Sequence, residues 1–241
     1  MERVLVWDWP VRVFHGLLVV GFASAAGIAL GLGDDSTSFW LHAVIGLGMA
    51  MAVLLRVVWG LMGSRHARFT SWLPGPRAVV RYFLRVLSGR GERHMGHNPG
   101  SAGAIVLIML LTLGLAGSGV AMARGVHGVK DAHEFMAWAL VAVVGLHIAG
   151  VLLHMVMHRE NIVASMLHGR KRAETDAERG QGISASHRTL GALMGIITLA
   201  WTGALWWSYN PATGVTKVPI VGTDLKIGDA TEGEPEPADG D

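Results

Sequence analysis

Five runs of apolar residues, each about as long as a bilayer is thick, dominate this 241-residue chain. They cover residues 13–32, 39–62, 102–123, 135–157 and 190–207. A hydrocarbon core of about 30 Å takes about 20 residues of helix, because each residue advances about 1.5 Å. All five runs meet that length. The last is the shortest, and Trp206, Trp207 and Tyr209 flank it as an interfacial aromatic anchor. Only 16% of the residues are charged and 51% are apolar, against roughly 25% charged in a soluble domain. Such a chain cannot clothe a water-facing surface, and it is too hydrophobic to stay disordered. The expected fold class is all-α, an integral membrane helical bundle with five spans.

The basic residues sort by side. Arg3 and Arg12 precede the first run, and the connection 33–38 holds Asp34 and Asp35 with no Lys or Arg. Arg56, Arg65, Arg68, Arg77, Arg81, Arg85, Arg90 and Arg93 follow on the next side, then only Arg124 and Lys130. The fourth connection carries Arg159, Arg170, Lys171, Arg172, Arg179 and Arg188, and the tail has Lys217 and Lys226 among seven carboxylates. Alternate ends thus hold sixteen and four basic residues. The positive-inside rule places the N-terminus in the cytoplasm and the tail outside. Basic residues set between apolar runs flank a membrane, so no nucleic-acid partner is expected. A signal peptide is the rival for the first run, with Ala23-Ser24-Ala25 as its cleavage site. Glu2 and Asp8 in its n-region, and apolar sequence beyond that site, argue for a retained span.

Between the second and third runs, Pro76 can open a helix and Gly89 can close it. Arg77, Arg81 and Arg85 form one stripe of that helix, with Val79, Val80, Phe83, Leu84 and Leu87 largely away from it. It reads as an amphipathic helix on the cytoplasmic membrane surface, or as an ordinary solvated face. Residues 173–186 read as a cytoplasmic linker. The acidic stretch 222–241 reads as disordered.

Cysteine is absent, which excludes thiolate metal sites, iron–sulfur clusters and covalent haem attachment through Cys-x-x-Cys-His. Histidine numbers 12, and His15, His42, His133, His147 and His154 fall in or at the ends of spans. Ionisable groups inside a membrane are costly, and by default they indicate function. His133 and His147 are 14 residues apart, so they share a helix face about 21 Å apart along the axis. His42 is level with His133, and His15 lies in the half that holds His147. Each leaflet therefore has a histidine pair, as bis-histidine ligation of a flat haem requires. Zinc prefers four ligands, and no acidic residue lies within a span to complete its set. His154, seven residues beyond His147, is by depth another partner for His15, or a proton acceptor near a quinone, or a donor to a haem propionate. Gly46 leaves room for a ring to approach, whereas Gly114, Gly117 and Gly119 read as helix packing. His66, His94, His97, His127, His158, His168 and His187 read as surface or interfacial residues.

Together these residues resemble the bacterial membrane cytochromes b of the cytochrome b561 and nickel–iron hydrogenase b-subunit group. The resemblance rests on Val6-Trp7-Asp8-Trp9-Pro10-Val11-Arg12-Val13-Phe14-His15, on Leu41-His42 followed by Gly46, and on Arg56-Val57-Val58-Trp59-Gly60. Gly63-Ser64-Arg65-His66-Ala67-Arg68-Phe69, Gly75-Pro76-Arg77, Gly96-His97-Asn98-Pro99, His133-Glu134, Leu146-His147 and Arg159-Glu160-Asn161 extend it. It covers about residues 4–172. It implies a four-helix core in the bacterial inner membrane, holding two non-covalent b haems with His15, His42, His133 and His147 as axial ligands. It also implies electron transfer between the quinone pool, or a hydrogenase, and a periplasmic partner such as a c-type cytochrome. Whether such a chain acts as a quinol:cytochrome oxidoreductase or as a subunit of one stays open. Arg12 and Arg56, with Arg65 and Arg68, are candidate partners of haem propionates or of lipid phosphate. The expected organisation is a di-haem domain over 1–172, the linker, a fifth transmembrane helix over 187–209 and an acidic periplasmic tail over 210–241. That helix and tail depart from the four-span pattern. A histidine-based metal transporter and a redox-silent anchor subunit are the competing classes.

Overall fold

A computed structural model describes residues 2–32, 36–88, 90 and 93–228. Asp34 and Asp35, the expected helix stop at Gly89, the side chain of Leu87 and the acidic run 229–241 lie outside the described residues. A short strand, β1 (Glu2–Leu5), leads into α1 (Trp9–Gly31) and α2 (Trp40–Met62). The single turn α3 (Phe69–Trp72) and the helix α4 (Pro76–Leu87) precede α5 (Pro99–Ala123) and α6 (Lys130–His158). Then come α7 (Ile162–His168), β2 (Arg170–Ala173), the single turn α8 (Asp176–Arg179), α9 (Arg188–Trp207), and the strands β3 (Val215–Lys217) and β4 (Asp224–Lys226). The five long helices, α1, α2, α5, α6 and α9, are each long and apolar enough to cross a membrane. Several begin a few residues before their apolar runs, because the polar flanks supply the caps. The Asp8 carboxylate accepts from the Val11 N–H and the Asn98 amide oxygen from the Ser101 N–H, with a proline in the first turn each time.

α2 is the most enclosed span. It packs against α1, α9 and α5, and α5 packs against α6. Small residues set these approaches, as expected where van der Waals contact drives association. Gly21 lies under the Met49 side chain, Gly48 faces Thr202, and Gly191 of α9 lies against the backbone of Trp9. Leu54, Leu110, Leu146, Val156 and Leu199 point outward with half or more of their surface open, as lipid-facing residues would.

The two ends of the bundle differ. At the basic end the connections are tied into one crown. β1 pairs antiparallel with β2, from Glu2 opposite Ala173 to Leu5 opposite Arg170. The Val6 and Trp7 N–H groups both donate to the Gly169 carbonyl. Residues 173–186, expected as a plain linker, are bonded to the crown: Ile183 N–H donates to Leu5, Trp9 N–H donates to Ser186, and Arg65 donates to Gly180. Val6, Trp7, Val11, Trp59, Ala67 and Met95 fill its core. The fully buried Asp8 accepts from Trp59 Nε1 at 3.0 Å and from Ser64 Oγ at 2.6 Å.

At the opposite end the chain after α9 folds back as a hairpin, β3 with β4. This corrects part of the expected disorder. Leu225 is buried there, and Thr216, also buried, donates to the Leu205 carbonyl at the end of α9. A single apolar residue in an acidic stretch is enough when its strand partner and a helix end lie nearby. Tyr209 stacks on Trp40 at 4.1 Å, which fixes this segment beside the start of α2. α4 forms as expected and packs on α5 through Val79 and Tyr82, with Arg77, Arg81 and Arg85 exposed.

Candidate functional site

His42 on α2 and His133 on α6 converge at the hairpin end, with ring centroids 6.4 Å apart and planes inclined by 64°. Each ring is fixed through Nδ1. His42 Nδ1 lies 3.0 Å from the Ala25 carbonyl of α1, and a carbonyl only accepts, so Nδ1 carries the proton. His133 Nδ1 lies 2.8 Å from Ser118 Oγ, and that hydroxyl lies 3.1 Å from the Leu115 carbonyl; with its proton directed to the carbonyl, Nδ1 donates to Oγ. In that tautomer both imidazoles keep a lone pair on Nε2. A metal-ligating histidine uses this arrangement, the second nitrogen being held by a hydrogen-bond acceptor.

The spacing fits one metal between two rings. A metal-bound imidazole nitrogen lies about 2 Å from the ion and the ring centre about 1 Å further, which places two opposed ring centres about 6 Å apart. Between the helices lies a cavity of about 800 Å³, lined mainly by apolar groups such as Phe22, Ala26, Leu47 and Val141. That is within the usual range for a cofactor pocket, about 300–1,000 Å³. Gly46 and Gly119 also line it. A Cβ at Gly46 would meet nothing within 4 Å, and one at Gly119 would sit 3.8 Å from His133 Cε1. Gly119, expected to serve helix packing, belongs to the cavity wall, whereas Gly114 does pack, against Met136. Among the described residues no three His, Cys, Asp or Glu side chains converge on one point. The two imidazoles and the apolar cavity beside them fit a haem-sized group.

At the basic end, His15 of α1 and His147 of α6 lie within electrostatic reach of each other. His154 is turned elsewhere. Its Nε2 lies 3.9 Å from Glu160 Oε2, and its ring lies 4.4 Å from that of His158. Arg12 is also engaged, donating to the carbonyls of Met166 and Leu167 at the end of α7 while its guanidinium covers Trp9. Arg56 differs. It is 2% exposed, its Nη2 donates to the Ala67 carbonyl, and its Nη1 is buried without a partner among the described residues. The rings of Phe14, Phe69 and Trp72 surround the guanidinium at 5.2–5.9 Å.

Sequence reasoning missed His97. Its ring is wedged between Trp7 and Trp72, 4.7 Å from each, and its Nε2 is buried without a partner. Burial, and then the charges of Arg56, His66, His147 and Lys171, push it down to about 3, so it is neutral at physiological pH. The available signal was Asn98-Pro99. A helix start capped there pins the preceding residue at the base of α5.

Below His154, Glu160 binds Arg93 through both carboxylate oxygens and lies 3.6 Å from Lys171 Nζ. Burial alone would raise the Glu160 pKa. His154, Lys171 and Arg93 outweigh it and hold the carboxyl down to about 2, from an ordinary 4.5. A carboxyl lowered in the folded state contributes stability above its ordinary value and loses it as pH falls toward the folded value. The melting temperature in detergent should therefore be flat from pH 7 to 5 and fall between about 4.5 and 2. Glu160→Gln should abolish much of that fall. At pH 7 it should cost on the order of 2 kcal/mol, or about 5 °C, because it removes the negative charge beside the buried Lys171 and leaves its Nζ the His94 carbonyl. A variant that melts like the wild type at pH 7 would contradict this.

The sequence profile of the family described as prokaryotic cytochrome b561 matches residues 6–169. The probable Ni/Fe-hydrogenase B-type cytochrome subunit of Bradyrhizobium diazoefficiens is 24% identical over 212 residues, covering 70% of this chain and 85% of that protein. Its namesake in Rhodobacter capsulatus is 24% identical, covering 72% and 83%, and that of Cupriavidus necator 25%, covering 70% and 87%. No solved structure matches. The family match ends before β2, so α9 and the hairpin that closes the far end lie beyond it.

Proposed function

Because the chain belongs to the prokaryotic cytochrome b561 family, we propose that it transfers electrons across the bacterial inner membrane through two non-covalent b haems. His42 with His133 holds one, and His15 with His147 the other. Bound haem supplies one-electron chemistry at its iron. The protein would supply two imidazole nitrogens for each haem and, at the hairpin end, an apolar cavity. The observation that carries this reading is the pair of converging imidazoles, with ring centres 6.4 Å apart and each Nδ1 held by a hydrogen-bond partner, beside an apolar cavity.

The basic crown faces the cytoplasm and the hairpin end faces the periplasm, on the strength of the charge asymmetry. Ser36, Thr37 and Lys130, which flank the connections at that second surface, are among the residues that line the cavity. A periplasmic c-type cytochrome is accordingly the redox partner, and the quinone pool is the small-molecule partner within the bilayer. The acidic tail favours a basic partner, since opposite charge raises encounter rates. The names of the relatives support a second reading, in which the chain is the membrane electron-transfer subunit of a hydrogenase-like enzyme. A metal transporter would need a fuller donor set than two rings.

Right-side-out spheroplasts test role and orientation together. Quinol should give sharp b-type bands in the reduced-minus-oxidised spectrum, and added oxidised c-type cytochrome should erase them rapidly. Bands that quinol never raises, or that an external cytochrome never erases, would overturn this role and favour the hydrogenase-type partner.

A further inference from the structure

Among the described residues, two of the buried side-chain nitrogens without a hydrogen-bond partner, Arg56 Nη1 and His97 Nε2, border one ring at the basic end. Trp72 lies 5.9 Å from the Arg56 guanidinium and 4.7 Å from the His97 ring. Arg56 Nη1 and His97 Nε2 are both buried without a hydrogen-bond partner. His97 lies within electrostatic reach of Arg56 and of His147. Asp8, the buried carboxylate whose charge reaches Arg56, is already taken up by the Val11 N–H, Trp59 and Ser64. Among the described residues Arg56 forms no ion pair, although burying an unpaired charge is costly enough that natural proteins supply a counter-charge. A buried cation and a neutral imidazole, beside a haem-ligand histidine and walled by aromatic rings, make a receptor for one carboxylate.

We propose that Arg56 and His97 together bind a carboxylate of the haem held by His15 and His147, with His97 as a positioning residue that donates through Nε2. This rests on the di-haem reading above. Arg56 supplies charge to neutralise the carboxylate. His97 supplies direction, since the Trp7 and Trp72 rings lock its plane. Stabilising that carboxylate lessens the negative charge felt at the iron and so favours the reduced state.

Two variants of the full-length protein separate donation from stacking. His97→Phe keeps a ring between the tryptophans and removes the donor. His97→Gln keeps an N–H donor and removes the ring. Redox titration of the purified protein, followed in the visible spectrum, should show the potential of this haem falling in His97→Phe by about a tenfold change in the reduced-to-oxidised ratio, or about 59 mV for one electron. The other haem should not move, and His97→Gln should stay within about twofold of the wild type. Loss of this haem alone in His97→Phe, restored in His97→Gln, is the same result in stronger form. An unchanged potential in His97→Phe, or a tenfold shift in His97→Gln, overturns the proposal even if only that variant accumulates. So does a change confined to the KM for quinol, which would assign the donors to a quinone carbonyl. A haemochrome count on the wild type that does not give two haems per chain defeats the underlying reading instead.

Discussion

His42→Ala and His133→Ala are each expected to leave one b haem per chain where the proposed function gives the wild type two, and to abolish reduction of an external c-type cytochrome. Each imidazole has its Nδ1 committed, to the Ala25 carbonyl or to Ser118, so its Nε2 is the sole nitrogen available for a metal. Alanine removes one of the two imidazoles that would hold the haem and leaves the cavity of about 800 Å³ without a fixed donor on that side. The helices themselves should persist, because neither ring is among the buried core residues. Ser118→Ala frees the His133 ring without removing it, and should weaken this haem by about 10- to 100-fold. Pyridine haemochrome analysis and low-temperature visible spectra read both outcomes. Two intact haems in His133→Ala would remove this pair from the site.

The second large effect concerns the basic end. His15→Ala or His147→Ala should each remove the other haem, whereas His154→Ala should retain both. The structure supports His147 over His154 on two grounds. His147 and His15 lie within electrostatic reach, and His154 is directed toward Glu160 and His158 at the foot of the crown. Electron flow from quinol to an external acceptor should stop in His15→Ala and His147→Ala, since the haem near the hairpin would lose its relay. Loss of one haem in His154→Ala, with both kept in His147→Ala, would reverse this assignment.

Much of the architecture is legible in sequence because a bilayer imposes a simple rule. A span must be apolar for about 20 residues, and its flanking charge reports its end. Five runs and a lopsided distribution of Lys and Arg therefore predict five helices and the grouping of their connections at alternate ends. The depths of His15, His42, His133 and His147 follow from helix rise alone. Depth says nothing of rotation, however, and only packing brought the His42 and His133 rings together and turned His154 toward Glu160. Arg12 and Arg56 look alike in sequence. The structure gives Arg12 the last carbonyls of α7 and leaves Arg56 with a buried free donor.

What lies outside the spans was least legible, since no solvent rule orders a loop. Residues 173–186 and the hairpin after α9 owe their structure to contacts from far along the chain. Examples are Leu5 with Ile183, and Tyr209 with Trp40. His97 illustrates the same limit. In sequence it is a polar residue in a basic connection. In the fold, Trp7 from the N-terminus and Trp72 from α3 close on it and hide its nitrogen. Sequence alone determined the number of spans, their ends and the depth of each histidine, because those depend on length, polarity and helix rise. Only the tertiary structure decided which rings face each other and which buried donors lack partners, because those depend on helix rotation and on residues brought together from distant segments.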